Sequence, residues 1–133
     1  MIFGLSPTAV DIIRLAPMTF RLTGSRYFGT DRPDSDWDFF VQDAENTADF
    51  LTKNGFRLDS VSYKEDSNIT RVFKKDNVHV QLVQDEKKKI LLQCLLKPVF
   101  QFLSLDLNRG TKTLNRAIWQ AAYDCYEAGA EYR

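Results

Sequence analysis

A small mixed β-sheet with helices packed against it, an α/β fold of the α+β kind, is the architecture this sequence predicts, and three observations predict it. Apolar and polar residues alternate in Met18 to Leu22, and Asp36 to Val41 separates a polar face from an apolar one, the period-two mark of strands, while Ile69 to Lys74 and Val78 to Val83 read as the two strands of a hairpin. Segments with apolar residues at helical spacing lie before, between and after them. Of 133 residues, 44% are hydrophobic, including ten Phe, five Tyr and two Trp, which is enough for one core and too much for a disordered chain. Residues 1–133 therefore read as a single domain, with a helical C-terminal part from about residue 85.

Ser6 and Pro7 open the first helix, because the hydroxyl can cap it and proline suits its first position. Val10, Ile13 and Arg14 follow at helical spacing, and Pro17 closes the segment. In the first strand Met18, Phe20 and Leu22 face one way, Thr19 and Arg21 the other. Gly24-Ser25 ends it, Arg26 to Gly29 can form one turn of helix, and Thr30 to Ser35 is a polar loop. After the second strand, Asp43 or Asn46 is expected to cap a helix that runs to Lys53 and stops at Asn54-Gly55. Phe56 to Tyr63 reads as extended or irregular, and Lys64 to Asn68 as a charged turn. Lys75-Asp76-Asn77 then joins the last two strands as a hairpin. Asp85 to Leu96 has an apolar helical face that Pro98 should break or kink, and Thr111 to Ala128 makes a final helix ending at Gly129.

Charge is balanced, 18 basic against 18 acidic residues, which argues against wholesale binding to nucleic acid or an anionic membrane. No stretch approaches the length of a membrane span, and the N-terminus lacks the pattern of a signal peptide. Cys94 and Cys125 lie in apolar, helix-patterned stretches and read as buried thiols in a reducing compartment, so a cytoplasmic location is expected.

The chemistry gathers in Leu22-Thr23-Gly24-Ser25-Arg26 and, with ten residues between Ser25 and Asp36, in Asp36-Trp37-Asp38-Phe39-Phe40. A glycine after a strand lets backbone N–H groups approach phosphate oxygens, Ser25 adds a hydroxyl, and Arg26 can add a positive fork. Asp36 and Asp38, two apart on a strand, project from one face and can hold Mg²⁺ with places left for phosphate oxygens. Two metals about 4 Å apart could activate an attacking oxygen and steady a leaving pyrophosphate. Trp37, Phe39 and Val41 would point into the core. Alone, Asp-x-Asp is usually a solvated edge and Gly-Ser a turn; strand, Gly-Ser, short helix, loop and Asp-x-Asp together are more specific.

This pattern, Gly-Ser-x10-Asp-x-Asp entered from an apolar strand, resembles that of the DNA polymerase beta-like nucleotidyltransferase superfamily, above all its small single-domain members, whose Ser-Asp-x-Asp form matches Ser35 to Asp38. The specific match covers Leu22 to Val41, and a looser one continues to Val83. The resemblance implies a mixed-sheet fold and transfer of a nucleoside monophosphate from an NTP, such as ATP, to a hydroxyl. The acceptor would be a small molecule, a protein or a nucleic acid end. Gly24, Ser25 and Arg26 would bind the triphosphate, while Asp36 and Asp38 would be catalytic and hold Mg²⁺, or Mn²⁺ in its place.

The superfamily also implies a third carboxylate on a later strand. On Val78 to Val83 that position falls to His79, with Gln81 on the same face. His79 could act as a general base, ligate a metal, or be a hydrogen-bonded strand histidine. Asp59, Asp66 or Asp76 could fold back to supply the acid. The alternative function is a catalytically inactive module of the same fold that binds a nucleotide or a protein partner. Lys87-Lys88-Lys89 reads as a solvated helix start, and Arg32 and Arg71 as phosphate contacts or partners of surface acids. Trp119, Tyr123 and Tyr126 read as core at helical spacing.

Overall fold

The computed structural model describes residues 6–59, 67–106 and 112–131. The expected extended stretch to Tyr63 and charged turn at Lys64 to Asn68 fall largely outside them, as does Asp66. The elements are α1 (Pro7–Leu15), β1 (Arg21–Thr23), α2 (Gly24–Phe28), β2 (Trp37–Gln42), α3 (Glu45–Lys53), β3 (Arg57–Leu58), β4 (Ile69–Lys75), β5 (Val78–Val83), α4 (Glu86–Asp106) and α5 (Lys112–Glu131). Among the described residues the strands form one mixed sheet of five in the order β1-β2-β5-β4-β3, and with its helices the fold is of the α+β kind. Only β2 and β5 run parallel; the other neighbours are antiparallel.

Ser6 caps α1 by accepting from the Ala9 N–H at 3.1 Å, with Pro7 at the helix start. The buried side of α1 runs through Ala9 and Ile12, one residue short of the expected Val10 and Ile13, and Ile13 is 53% exposed. Met18 and Phe20 precede the strand, which starts at Arg21, yet both pack against the core. Neither Asp43 nor Asn46 caps α3. Ala44 stands at that position, and Asp43 instead accepts from the Arg71 guanidinium and the Thr70 hydroxyl. Burial pushes the Asp43 carboxyl up, but those two hydrogen bonds and the Arg71 charge outweigh it and hold the group below its ordinary value. Arg71 is thereby committed to an acid rather than to phosphate.

The hairpin turn narrows to Asp76-Asn77, with Asp76 at φ 53°, a left-handed conformation that aspartate tolerates better than most residues. The Thr8 hydroxyl donates to the Asp76 carboxylate and ties α1 to this turn.

One sheet face buries Trp37, Phe39 and Val41 with Val78, Val80, Leu82 and Phe73, packed with Ala9 and Ile12 of α1 and Ala48 and Leu51 of α3. Each large apolar side chain fully buried there contributes about 2 kcal/mol. On the other face Phe40, Val72 and Val83 cluster with Ile69 and meet Ile90 of α4. A further apolar cluster joins Phe28 of α2 to Leu92 and Phe100 of α4 and Trp119 and Tyr123 of α5.

The helical part departs from expectation in five ways. Pro98 does not break α4, which continues to Asp106, and α5 runs past Gly129 to Glu131. Cys94 and Cys125 are exposed rather than buried: Cys94 lies on α4, whose Leu91, Leu95 and Phe102 are also uncovered, and Cys125 lies on α5. Lys89 is not a solvated helix start: it is fully buried, its ammonium 4.4 Å from the Trp119 ring centre and 5.5 Å from that of Phe40. Trp119 and Tyr123 are core, whereas Tyr126 is 38% exposed. Among the described residues no helix is long and apolar enough to cross a membrane.

Candidate functional site

Gly24 and Asp38, fourteen residues apart in the chain, meet where β1 ends and β2 begins. Thr23 pairs with Asp38 across the antiparallel register, which brings the start of α2 over the aspartate. Gly24 has φ 70°, a conformation that costs an L side chain about 1–2 kcal/mol. A Cβ on Gly24 would also lie 2.3 Å from Asp38 Oδ2, well inside contact distance. Glycine is therefore required twice over, by its dihedral and by the approach of a carboxylate to its backbone.

Beside this contact lies a cavity of about 200 Å³, lined by Gly24, Ser25, Thr30 and Asp38 on one side and by Phe28, Trp119 and Asn115 on another. The sequence marked Ser25 and Asp38 but not Asn115, which reaches the cavity from α5, ninety residues beyond Ser25. The Asn115 side-chain oxygen is buried without a hydrogen-bond partner, as is the Thr23 hydroxyl. Nothing in the local pattern of α5 distinguishes Asn115 from its polar neighbours.

The parallel pairing of β2 with β5 sets Asp38 directly opposite His79. His79 Nδ1 lies 3.3 Å from Asp38 Oδ1, and its Nε2 lies 3.7 Å from Asp36 Oδ2. The hydrogen bond with Asp38 raises the imidazole above its ordinary value of 6.5; burial and Lys74 oppose the rise, and the charges of Asp38 and Asp36 add to it. The imidazolium form is thus favoured, and two carboxylates share one cationic partner. Gln81, next on this face, is buried with its side-chain oxygen unpartnered.

Among the described residues no three or more His, Cys, Asp and Glu side chains converge as a ready-made metal cage. The donor chemistry of the two aspartates nevertheless fits one hard divalent ion. Both carboxylates sit on one face, and Asp36 keeps 53% and Asp38 19% of its side chain accessible. His79 competes for the same oxygens, so an ion there would have to displace or share the imidazole.

Arg26 is not directed at this cavity. Its guanidinium donates to the Ser35 carbonyl at 2.7 Å, pairs with Asp31 at 3.3 Å and stacks 4.2 Å from the Trp37 ring centre. It clamps the loop that delivers Asp36. Asp76 is held by Thr8, and the Asp59 backbone N–H bonds to the Val72 carbonyl, at the outer side of the sheet. Compared with known proteins, the chain matches no family model, no curated protein and no solved structure.

Proposed function

We propose that this chain is a metal-dependent nucleotidyltransferase, moving a nucleoside monophosphate from an NTP to a hydroxyl acceptor. The observation that carries the reading is the approach of Gly24 to Asp38, which joins the Gly-Ser turn and the carboxylate face at the edge of one cavity. In this reading Gly24 and Ser25 hold triphosphate oxygens through backbone N–H groups and a hydroxyl, and Arg26 acts by fixing the loop before Asp36. Asp36 and Asp38 hold Mg²⁺, or Mn²⁺ in its place, and a bound ion would supply neutralisation of the phosphate charge. His79 positions both carboxylates and, in its neutral form, can take the acceptor's proton. The free, exposed thiols of Cys94 and Cys125 suit a reducing, cytoplasmic setting.

A thermal-shift panel of four NTPs with Mg²⁺, Mn²⁺ or chelator tests the site. Stabilisation by a metal–NTP pair alone is expected, and its loss in Asp36→Asn and Asp38→Asn; an equal response in those variants removes the aspartates from the site.

One observation favours a second reading, a nucleotide- or protein-binding module without turnover. A cation-forming His79 sits between the two aspartates, where the superfamily pattern implies a third acid. His79→Asp separates the two: metal-dependent transfer that appears only in this variant identifies the native chain as a silenced site.

A further inference from the structure

Building on the nucleotidyl-transfer reading, we infer that the basic end of the same sheet face binds the phosphate group of a small phosphorylated acceptor, through Arg57 and Lys74. The register sets one residue from each strand in a single row. Thr23 lies opposite Asp38, Asp38 opposite His79, His79 opposite Lys74, and Lys74 opposite Arg57. Cross-strand partners share a face, so the row crosses the sheet from β1 to β3 and changes sign on the way. Arg57 stands three strand spacings from Asp38, roughly 14 Å at about 4.8 Å each. The long Arg57 and Lys74 side chains can lean across part of that backbone separation, leaving a span suited to a small molecule that presents a hydroxyl at one end and a phosphate at the other.

The pairing of Arg57 with Lys74 is unfavourable in the free protein, because like charges directly opposite destabilise an antiparallel pair. Both side chains are exposed, and among the described residues neither has an ion-pair partner. They border a cavity of about 480 Å³ together with Gly55, Lys75 and Asp76, a volume within the range of small-ligand sites. The Lys75 ammonium is spent on the Asn54 carbonyl at 2.9 Å, and the Asp76 carboxylate accepts from Thr8. Arg57 and Lys74 are thus the cations left to meet an anion. Two of them match one phosphate group; a nucleic acid backbone would need many such contacts, and the chain's zero net charge does not supply them.

In the transfer, the acceptor's hydroxyl oxygen bonds to the α-phosphorus of the NTP. The bond from that phosphorus to the bridging oxygen breaks, pyrophosphate leaves with the electron pair, and the hydroxyl proton passes to solvent or His79. The acceptor's own phosphate makes and breaks no bond; Arg57 and Lys74 only hold it.

The test uses the full chain with ribose 5-phosphate and ribose as paired probes, and the double variant Arg57→Ala/Lys74→Ala. Without nucleotide, ribose 5-phosphate is expected to raise the melting temperature of the native chain while ribose does not. The double variant should lose that response. In probe-free buffer it should melt no lower than the native chain, because the like-charge contact is gone. With a metal–NTP pair, the preference for ribose 5-phosphate over ribose should fall at least about tenfold in the variant, as expected for losing charge-assisted hydrogen bonds. A ribose 5-phosphate response that survives in the double variant, or amide shifts confined to Gly24 and Ser25 in NMR titration, overturns the inference. If ribose 5-phosphate binding depends on the two cations but no NTP supports transfer, the anion site stands and the nucleotidyl reading falls. If transfer proceeds with the same preference in both proteins, the nucleotidyl reading stands and this inference falls.

Discussion

The two faces of the sheet are made by the same strands and behave as different materials. On the face packed with α1 and α3, every inward side chain of β2 and β5 is apolar and nearly inaccessible. On the opposite face the row Asp38, His79, Lys74 is partly open to solvent, and the next row, Phe40, Gln81, Val72, is buried with α4 nearby. Adjacent residues such as Asp38 and Phe39 therefore live in unlike surroundings, 19% of side chain accessible for the first and 3% of the residue for the second. Period-two geometry lets a three-layer core and a charged site share one strand without either compromising the other.

The sharpest way to break this contrast is to mutate those neighbours. Phe39→Ala should cost about 3–5 kcal/mol of stability, read from urea unfolding, because it opens a void in a packed core. Asp38→Asn, one residue away, should change stability by less than about 1 kcal/mol. It should also reduce the proposed nucleotidyl transfer on the order of a hundredfold. Comparable destabilisation by both would make Asp38 a structural residue and the open face an ordinary part of the core.

Gly24→Ala comes next in size. The left-handed dihedral alone costs about 1–2 kcal/mol, and the new methyl would strike Asp38 Oδ2. Truncating the aspartate should relieve the contact with the carboxylate, but not the dihedral nor the 3.0 Å approach to the Asp38 Cβ. A double-mutant cycle of Gly24→Ala with Asp38→Ala should thus show the double variant more stable than the sum of the singles. Strict additivity would mean that the two segments do not touch in solution.

Where sequence reading succeeded and failed follows the same division. The β4–β5 hairpin and the burial of Trp37, Phe39 and Val41 were legible because alternation is local and one face is fully apolar. Around Met18 and Phe20 the alternation misled: both side chains pack on the core from a segment that forms no ladder. Lys89 was misread because its environment, Phe40 and Trp119, lies about fifty residues upstream and thirty downstream. The exposed cysteines were misread for the converse reason. An apolar stretch such as that around Cys94 normally signals burial, but nothing local tells which side of α4 stays uncovered. At the candidate site, spacing singled out Gly24, Ser25, Asp36 and Asp38. Their meeting, the cross-strand charge row and Asn115 depend on register and on helix packing, which no local pattern encodes.

The smallest expected effect concerns how His79 couples the open face to pH. Its folded value is raised, first by the Asp38 hydrogen bond, so the protonated form is the one the fold stabilises. The contribution is fully present below the ordinary value of 6.5 and is lost as pH rises through the raised folded value. In chelator-containing buffer the native chain should therefore melt progressively lower as pH climbs from about 6.5. His79→Gln should remove that component of the slope, since glutamine cannot titrate, and Asp38→Asn should shrink it by taking away the largest cause. Phe39→Ala should lower the whole curve without changing its shape, because no proton is bound or released on the closed face. An unchanged slope in His79→Gln would show that the imidazole's pairing with Asp36 and Asp38 does not persist in solution, and the contrast between the faces would then rest on packing alone.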